Sequence, residues 1–176
     1  MILHKMIVEN FRQFRGRQEI EFWVPSLPHH NVTVVFGENG RGKTGLFRAI
    51  MFCLFGERRL SQDGDVPREE LQLVNVSALE ADTGVPVRTS VELEFAHLGQ
   101  SYRLRRAILG MQDGKRIIEE EDEKRLFVIT SDGNTQTVPT TEIGAVIDSI
   151  LDRRVKDYFL FDGEKWTAPF RLDSLS

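Results

Sequence analysis

Eight consecutive residues restrict this chain more than any other stretch. Gly37-Glu38-Asn39-Gly40-Arg41-Gly42-Lys43-Thr44 satisfies G-x-x-x-x-G-K-[ST] at every fixed position. A β-branched run, Asn31 to Phe36 (NVTVVF), leads in and predicts a strand buried on both faces. Leu46, Phe47, Ile50, Met51, Leu54 and Phe55 follow at helical spacing, with Gly56 where a helix C-cap belongs. Glycines let successive N–H groups turn inward as an anion nest, and the positive end of the following helix adds to the field. The expected ligand is ATP with Mg²⁺. The loop amides from Asn39, Gly40, Arg41 and Gly42 to Gly45 would surround the phosphates. Lys43 would reach the β- and γ-phosphates, and the Thr44 hydroxyl would ligate the metal.

Other function classes fall away on composition. With 176 residues, 40% hydrophobic and 28% charged, the chain has the size and make-up of one globular domain. No apolar run approaches the roughly 18 residues of a membrane span, and the N-terminus does not read as a signal peptide, so a cytoplasmic protein without membrane contact is expected. Cys53, the single cysteine, lies in the apolar run 50–55 and reads as a buried hydrophobe. The four histidines lack metal-ligand spacing. The net charge of −4 is uneven: residues 1–60 hold 9 Lys/Arg against 5 Asp/Glu, and the remainder 14 against 22. Charge alone therefore gives no warrant for DNA contact.

The rest of the chain reads as mixed α/β. Residues 2–9 and 18–24 are strand candidates on either side of Gly16. Residues 57–85 read as loop with one short helix. Val87 to Phe95 alternates at period two and turns at 97–100 into Tyr102, Leu104, Arg106 and Ile108, an antiparallel hairpin over 86–109. The run 110–124, with EEEDEK, reads as a solvated loop. Residues 125–130 predict a strand, TQTV its partner, 143–151 an amphipathic helix, and 155–161 a last strand. Arg103, Arg105 and Arg106 are candidates for DNA contact, set against neutralisation by Glu92 and Glu94 across the strand pair.

Several of these segments, in this order, resemble a known family. Val8-Glu9-Asn10-Phe11-Arg12, Ile20-Glu21-Phe22, Phe36 to Thr44, Ala49-Ile50, Leu54-Phe55-Gly56 and Tyr102 to Arg106 are similar to the N-terminal head segment of SMC-like ATPases of the SbcC and RecF type. Tyr158-Phe159-Leu160-Phe161-Asp162-Gly163-Glu164-Lys165 narrows the likeness to DndD, the ATPase family of DNA phosphorothioation (sulfur modification) systems. The resemblance implies a P-loop NTPase fold, the N-terminal lobe of an SMC/ABC-type head with mixed and antiparallel sheets over residues 1–165, followed by a tail at 166–176. It implies that Arg12 reaches toward the nucleotide. It also implies that 158–165 takes the place of a Q-loop, with Asp162 (or next to it Glu164) near Mg²⁺ and, with Lys43, serving catalysis. Its implied partners are a C-terminal ATPase lobe carrying the Walker B acid, a second head clamping ATP, DNA, and other DNA-modification proteins. Neither coiled coil nor second lobe is present here, so the chain reads as a first lobe that alone turns ATP over very slowly. An SbcC-type repair head, a non-catalytic nucleotide-binding regulatory module and, with no lid or acceptor segment to favour it, a small-molecule kinase are the competing readings.

Overall fold

In the computed structural model, the described residues are 1–22, 33–38, 42–60, 63–64, 71–81, 84–130, 132–154 and 156. Strands β1 (Ile2–Phe11) and β2 (Phe14–Glu21) are followed by helices α1 (Lys43–Phe55) and α2 (Val76–Ala81). Then come β3 (Val87–His97), β4 (Gln100–Asp113), β5 (Arg116–Ile129), β6 (Thr135–Val138) and α3 (Ile143–Ile150). The strands form one sheet in the order β2-β1-β3-β4-β5-β6, with every pairing antiparallel.

Period-two patterning builds this sheet. Met6, Val8, Val91, Leu93, Phe95, Leu104 and Leu126 are all buried, each beside at least one charged sequence neighbour. Phe95 and Tyr102 oppose each other across β3 and β4 with rings stacked at 5.2 Å. Helix α1 lays Ala49, Phe52 and Cys53 into the same core. Cys53 points its thiol at the Val91 and Leu104 carbonyls, 3.4 and 3.5 Å away, and burial pushes its pKa up to about 12. It is an inert core residue, as its apolar surroundings in the sequence suggested. Gly56 ends α1 in the left-handed region at φ 74°, its N–H bonding Phe52 O at 2.8 Å.

Three expectations need correction or delimiting. The acidic run is no loop: β4 extends to Asp113, beyond the hairpin limit of 109, and β5 begins at Arg116. The carboxylates there are matched by arginines distant in sequence. Glu119 pairs with Arg58, Glu121 with Arg106, and Asp122 and Glu123 with Arg88. Asp122 is the extra residue of a bulge, since Ala107 faces Glu123 while Ile108 already faces Glu121. Secondly, residues 33–36 of the β-branched run lie in no strand. Val34 and Phe36 are 80% and 97% exposed. A strand buried on both faces requires neighbours, and none is provided among the described residues, so the parallel part of a mixed sheet is not formed among them. Thirdly, of the last strand (155–161) only residue 156 is described, and the 158–165 segment and the 166–176 tail lie outside the described residues.

Gly110 in β4 marks a close approach. A Cβ there would stand 2.8 Å from both Cβ and Cγ2 of buried Val74. Gly110→Ala is therefore expected to lose about 1–3 kcal/mol of stability, the usual range for overpacking, measurable as a lowered urea midpoint at unchanged slope.

Candidate functional site: the start of helix α1 and the turn beside it

The segment Asn10-Phe11-Arg12 ends β1 with an unusual backbone. Asn10 and Arg12 both adopt left-handed conformations, φ 47° and 50°. Local hydrogen bonds fix them. Asn10 Oδ1 accepts the Gly16 N–H at 2.8 Å, and the Asn10 carbonyl accepts from Asn75 N (2.7 Å) and Thr89 Oγ1 (2.9 Å). Arg12 N–H donates to Leu73 O at 2.6 Å, and Asn75 Nδ2 donates to the Arg12 carbonyl. Between them Phe11 is fully buried, its ring 5.7 Å from that of Phe52 on α1. Glu119, reaching from β5, accepts the N–H groups of Leu73 (2.6 Å) and Val74 (2.7 Å) and so holds the segment that holds the turn.

Arg12 sends its guanidinium to the Gln72 carbonyl at 3.0 Å. Burial, and after it the nearby charge of Arg48, lowers its pKa from the usual arginine value, while Asp63 and Glu119 pull the other way. Arg48 itself is buried in α1 and forms a fork with Asp63, Nη2–Oδ1 2.5 Å and Nη1–Oδ2 2.7 Å. Sequence reasoning missed this pair. Its one available signal was Arg48 standing in the stripe Gly45, Ala49, Phe52, where an apolar residue is expected.

Helix α1 opens on Gly42, left-handed at φ 103°, whose carbonyl accepts the Leu46 N–H at 3.0 Å. Lys43 and Thr44 are its first two residues, and no carboxylate occupies the first turn to neutralise the positive helix end. Lys43 folds back over the incoming chain, donating to the Gly37 carbonyl at 2.6 Å and the Glu38 carbonyl at 2.9 Å. A cation, a hydroxyl and an uncompensated helix N-terminus in sequence suit a polyphosphate carrying a hard divalent cation. Among the described residues no group of three His, Cys, Asp or Glu side chains could hold a metal alone, and Mg²⁺ bound mainly through phosphate oxygens needs no such cage.

Of the residues singled out in the sequence, Gly42, Lys43, Thr44 and Gly45 stand together at this helix start, and the turn bearing Arg12 packs beside it through Gln13 (Gln13 Nε2 to Gly42 O, 3.2 Å). Asn39, Gly40, Arg41, Asp162 and Glu164 lie outside the described residues. The hairpin arginines are engaged within the protein. Arg103 pairs with Glu94 at 3.0 Å and Glu92 at 3.8 Å, Arg105 with Glu123 at 3.9 Å, and Arg106 lies 5.8 Å from the Phe52 ring centroid while donating to Cys53 O. The neutralisation by Glu92 and Glu94 set against DNA contact is formed at Arg103, while Arg105 and Arg106 face Glu123 and Glu121 instead.

A helix launched from Gly42-Lys43-Thr44 against a sheet defines the class as an α/β P-loop NTPase fragment. Residues 5–174 match the model of the AAA domain family, and the chain belongs to that family. It is 27% identical over 157 residues to a DNA double-strand break repair Rad50 ATPase of Thermoplasma acidophilum, covering 88% of this chain and 14% of the relative. With the Rad50 ATPase of Methanococcus maripaludis it shares 29% over 152 residues, 86% of this chain and 12% of the relative. With structural maintenance of chromosomes protein 1B of Mus musculus it shares 31% over 101 residues, 56% of this chain and 7% of the relative. The chain thus spans about one seventh of its Rad50 relatives or less, and the likeness is to an SMC-like ABC ATPase head. Among the described residues no helix is long and apolar enough to cross a membrane.

Proposed function

We propose that this chain is the ATP–Mg²⁺-binding segment of an SMC-like ATPase head that acts on DNA. The observation carrying this reading is Lys43 at the first position of α1, behind a left-handed Gly42, with its ammonium over the Gly37 and Glu38 carbonyls. ATP and Mg²⁺ supply the scissile phosphate and its charge-neutralising metal. Amides from Asn39, Gly40, Arg41, Gly42 and Gly45 would orient the phosphates, the Lys43 ammonium would stabilise charge on the β- and γ-phosphates, and Thr44 and Asp162 would hold the metal. Arg12 would lend positive charge from the adjoining turn.

One member of the partner set has support in what this lobe leaves exposed. Val34, Val35 and Phe36 present apolar side chains to solvent directly before the loop, which supports a second, C-terminal lobe covering them and contributing the water-orienting acid. A second head would complete the transition-state charge stabilisation. The chain alone is expected to bind Mg–ATP yet show next to no single-turnover hydrolysis, and to gain turnover when the C-terminal lobe is supplied in trans. Brisk hydrolysis by the chain alone, or none in the reconstituted pair, defeats this division of labour.

The DNA process has two supports. The Rad50 relatives favour double-strand break repair. Phe159 to Lys165, F-L-F-D-G-E-K, favours sulfur modification of the DndD kind together with other DNA-modification proteins. Deleting the gene and assaying the host DNA for phosphorothioate linkages separates them: their loss assigns modification, while intact linkages with sensitivity to double-strand breaks assign repair.

A further inference from the structure

We propose that Gln13 is a positioning residue of the nucleotide site, clamping the end of the phosphate loop and the first turn of α1 to the β1–β2 turn; this rests on the nucleotide-binding reading above. Arg12 and Gln13 form the turn between the paired residues Phe11 and Phe14. Gln13 Nε2 donates to the Gly42 carbonyl at 3.2 Å. That oxygen already accepts the Leu46 N–H, so the carboxamide uses its second lone pair, at the residue where loop becomes helix.

The two glycines flanking Lys43-Thr44 record the same packing. A Cβ at Gly42 would lie 2.7 Å from Gln13 Nε2 and 3.2 Å from the Phe14 ring. A Cβ at buried Gly45 would lie 1.9 Å from Nε2, 2.7 Å from Cδ and 2.8 Å from Oε1. The Gln13 carboxamide thus occupies the volume that both glycines leave open, flush against the residues expected to grip phosphate. Gln13 is itself exposed, so its contacts with the loop and the helix start matter more than any contribution to the core. A single turn thereby carries both Arg12, the basic residue proposed for the nucleotide, and the clamp on its loop.

Steric reciprocity supplies the test. Magnesium–ATP is titrated calorimetrically into the wild type, Gln13→Ala, Gly45→Ala, the double variant and Lys43→Ala, with thermal unfolding of each in parallel. Gln13→Ala should weaken Mg–ATP roughly fivefold, the size of one net hydrogen bond, at unchanged unfolding temperature. Gly45→Ala displaces the flexible carboxamide and should weaken binding similarly, and the double variant should be no weaker than either single one. Binding by Gln13→Ala within about twofold of wild type, or a Gly45→Ala loss of equal size with and without Gln13, overturns the clamp while leaving the nucleotide reading intact. A wild type that takes up no Mg–ATP, or binding undiminished by Lys43→Ala, removes that reading and the clamp with it.

Discussion

Replacing Lys43 with alanine is expected to lower Mg–ATP affinity by about 100-fold or more and leave the unfolding temperature where it was. The magnitude follows from charge-assisted hydrogen bonds, about 1.5–3 kcal/mol each, with one ammonium serving two phosphates. Stability is spared because, among the described residues, the Lys43 side chain bonds to the Gly37 and Glu38 carbonyls at the edge of the fold, and exchanging such bonds for water changes little. Isothermal titration calorimetry with and without Mg²⁺ reads the first quantity, and a thermal scan the second. Affinity within about threefold of wild type would show that the helix start is a structural turn. Lys43→Arg is the informative companion: a fork in place of a point charge retains the sign but not the fit, so it should recover little of the loss.

Where the sequence spoke for this site and where it did not has a physical basis. The helix after the loop was legible because apolar spacing, a glycine C-cap and the G-x-x-x-x-G-K-T pattern all concern neighbours within a few residues; Gly56 closes α1 where its position suggested. Strand β3 was legible through strict alternation from Val87 to Phe95. The acidic run of β5 misled because its compensation is nonlocal. Glu119, Glu121, Asp122 and Glu123 are balanced by Arg58, Arg106 and Arg88, and a like-charge run shows none of those partners along the chain. The run through Val34 to Phe36 failed in the opposite direction. Its composition promises a central strand, but a strand is realised only through neighbours, and the described sheet places β2 and β3 on the two sides of β1. Gln13 was passed over altogether: a glutamine beside a motif arginine has no signature until the turn is seen folded against Gly42 and Gly45.

The second large effect is expected at a pair no motif marks. Arg48 and Asp63 have side chains only 5% and 9% exposed, and each satisfies a further backbone group. Arg48 Nη1 also donates to Arg58 O at 2.7 Å, and Asp63 Oδ2 accepts the Leu60 N–H at 2.6 Å. Removing one member strands the other, and breaking a buried pair in this way costs about 3–5 kcal/mol. Asp63→Ala should therefore cost that much, seen as a fall in the urea midpoint. Arg48→Met/Asp63→Leu should cost clearly less than Asp63→Ala, because neither charge is then left alone. The Arg48 fork, ahead of the Leu60 N–H, holds the Asp63 carboxyl below the usual carboxylate range. A depressed folded-state pKa gives stability that is complete above the unfolded value, roughly pH 4, and fades as pH falls through the folded one. The difference in stability between wild type and Asp63→Asn should accordingly be constant from pH 7 to 5 and shrink below about pH 4. Equal stability of Asp63→Ala and wild type would mean that the fork is solvated and positions nothing.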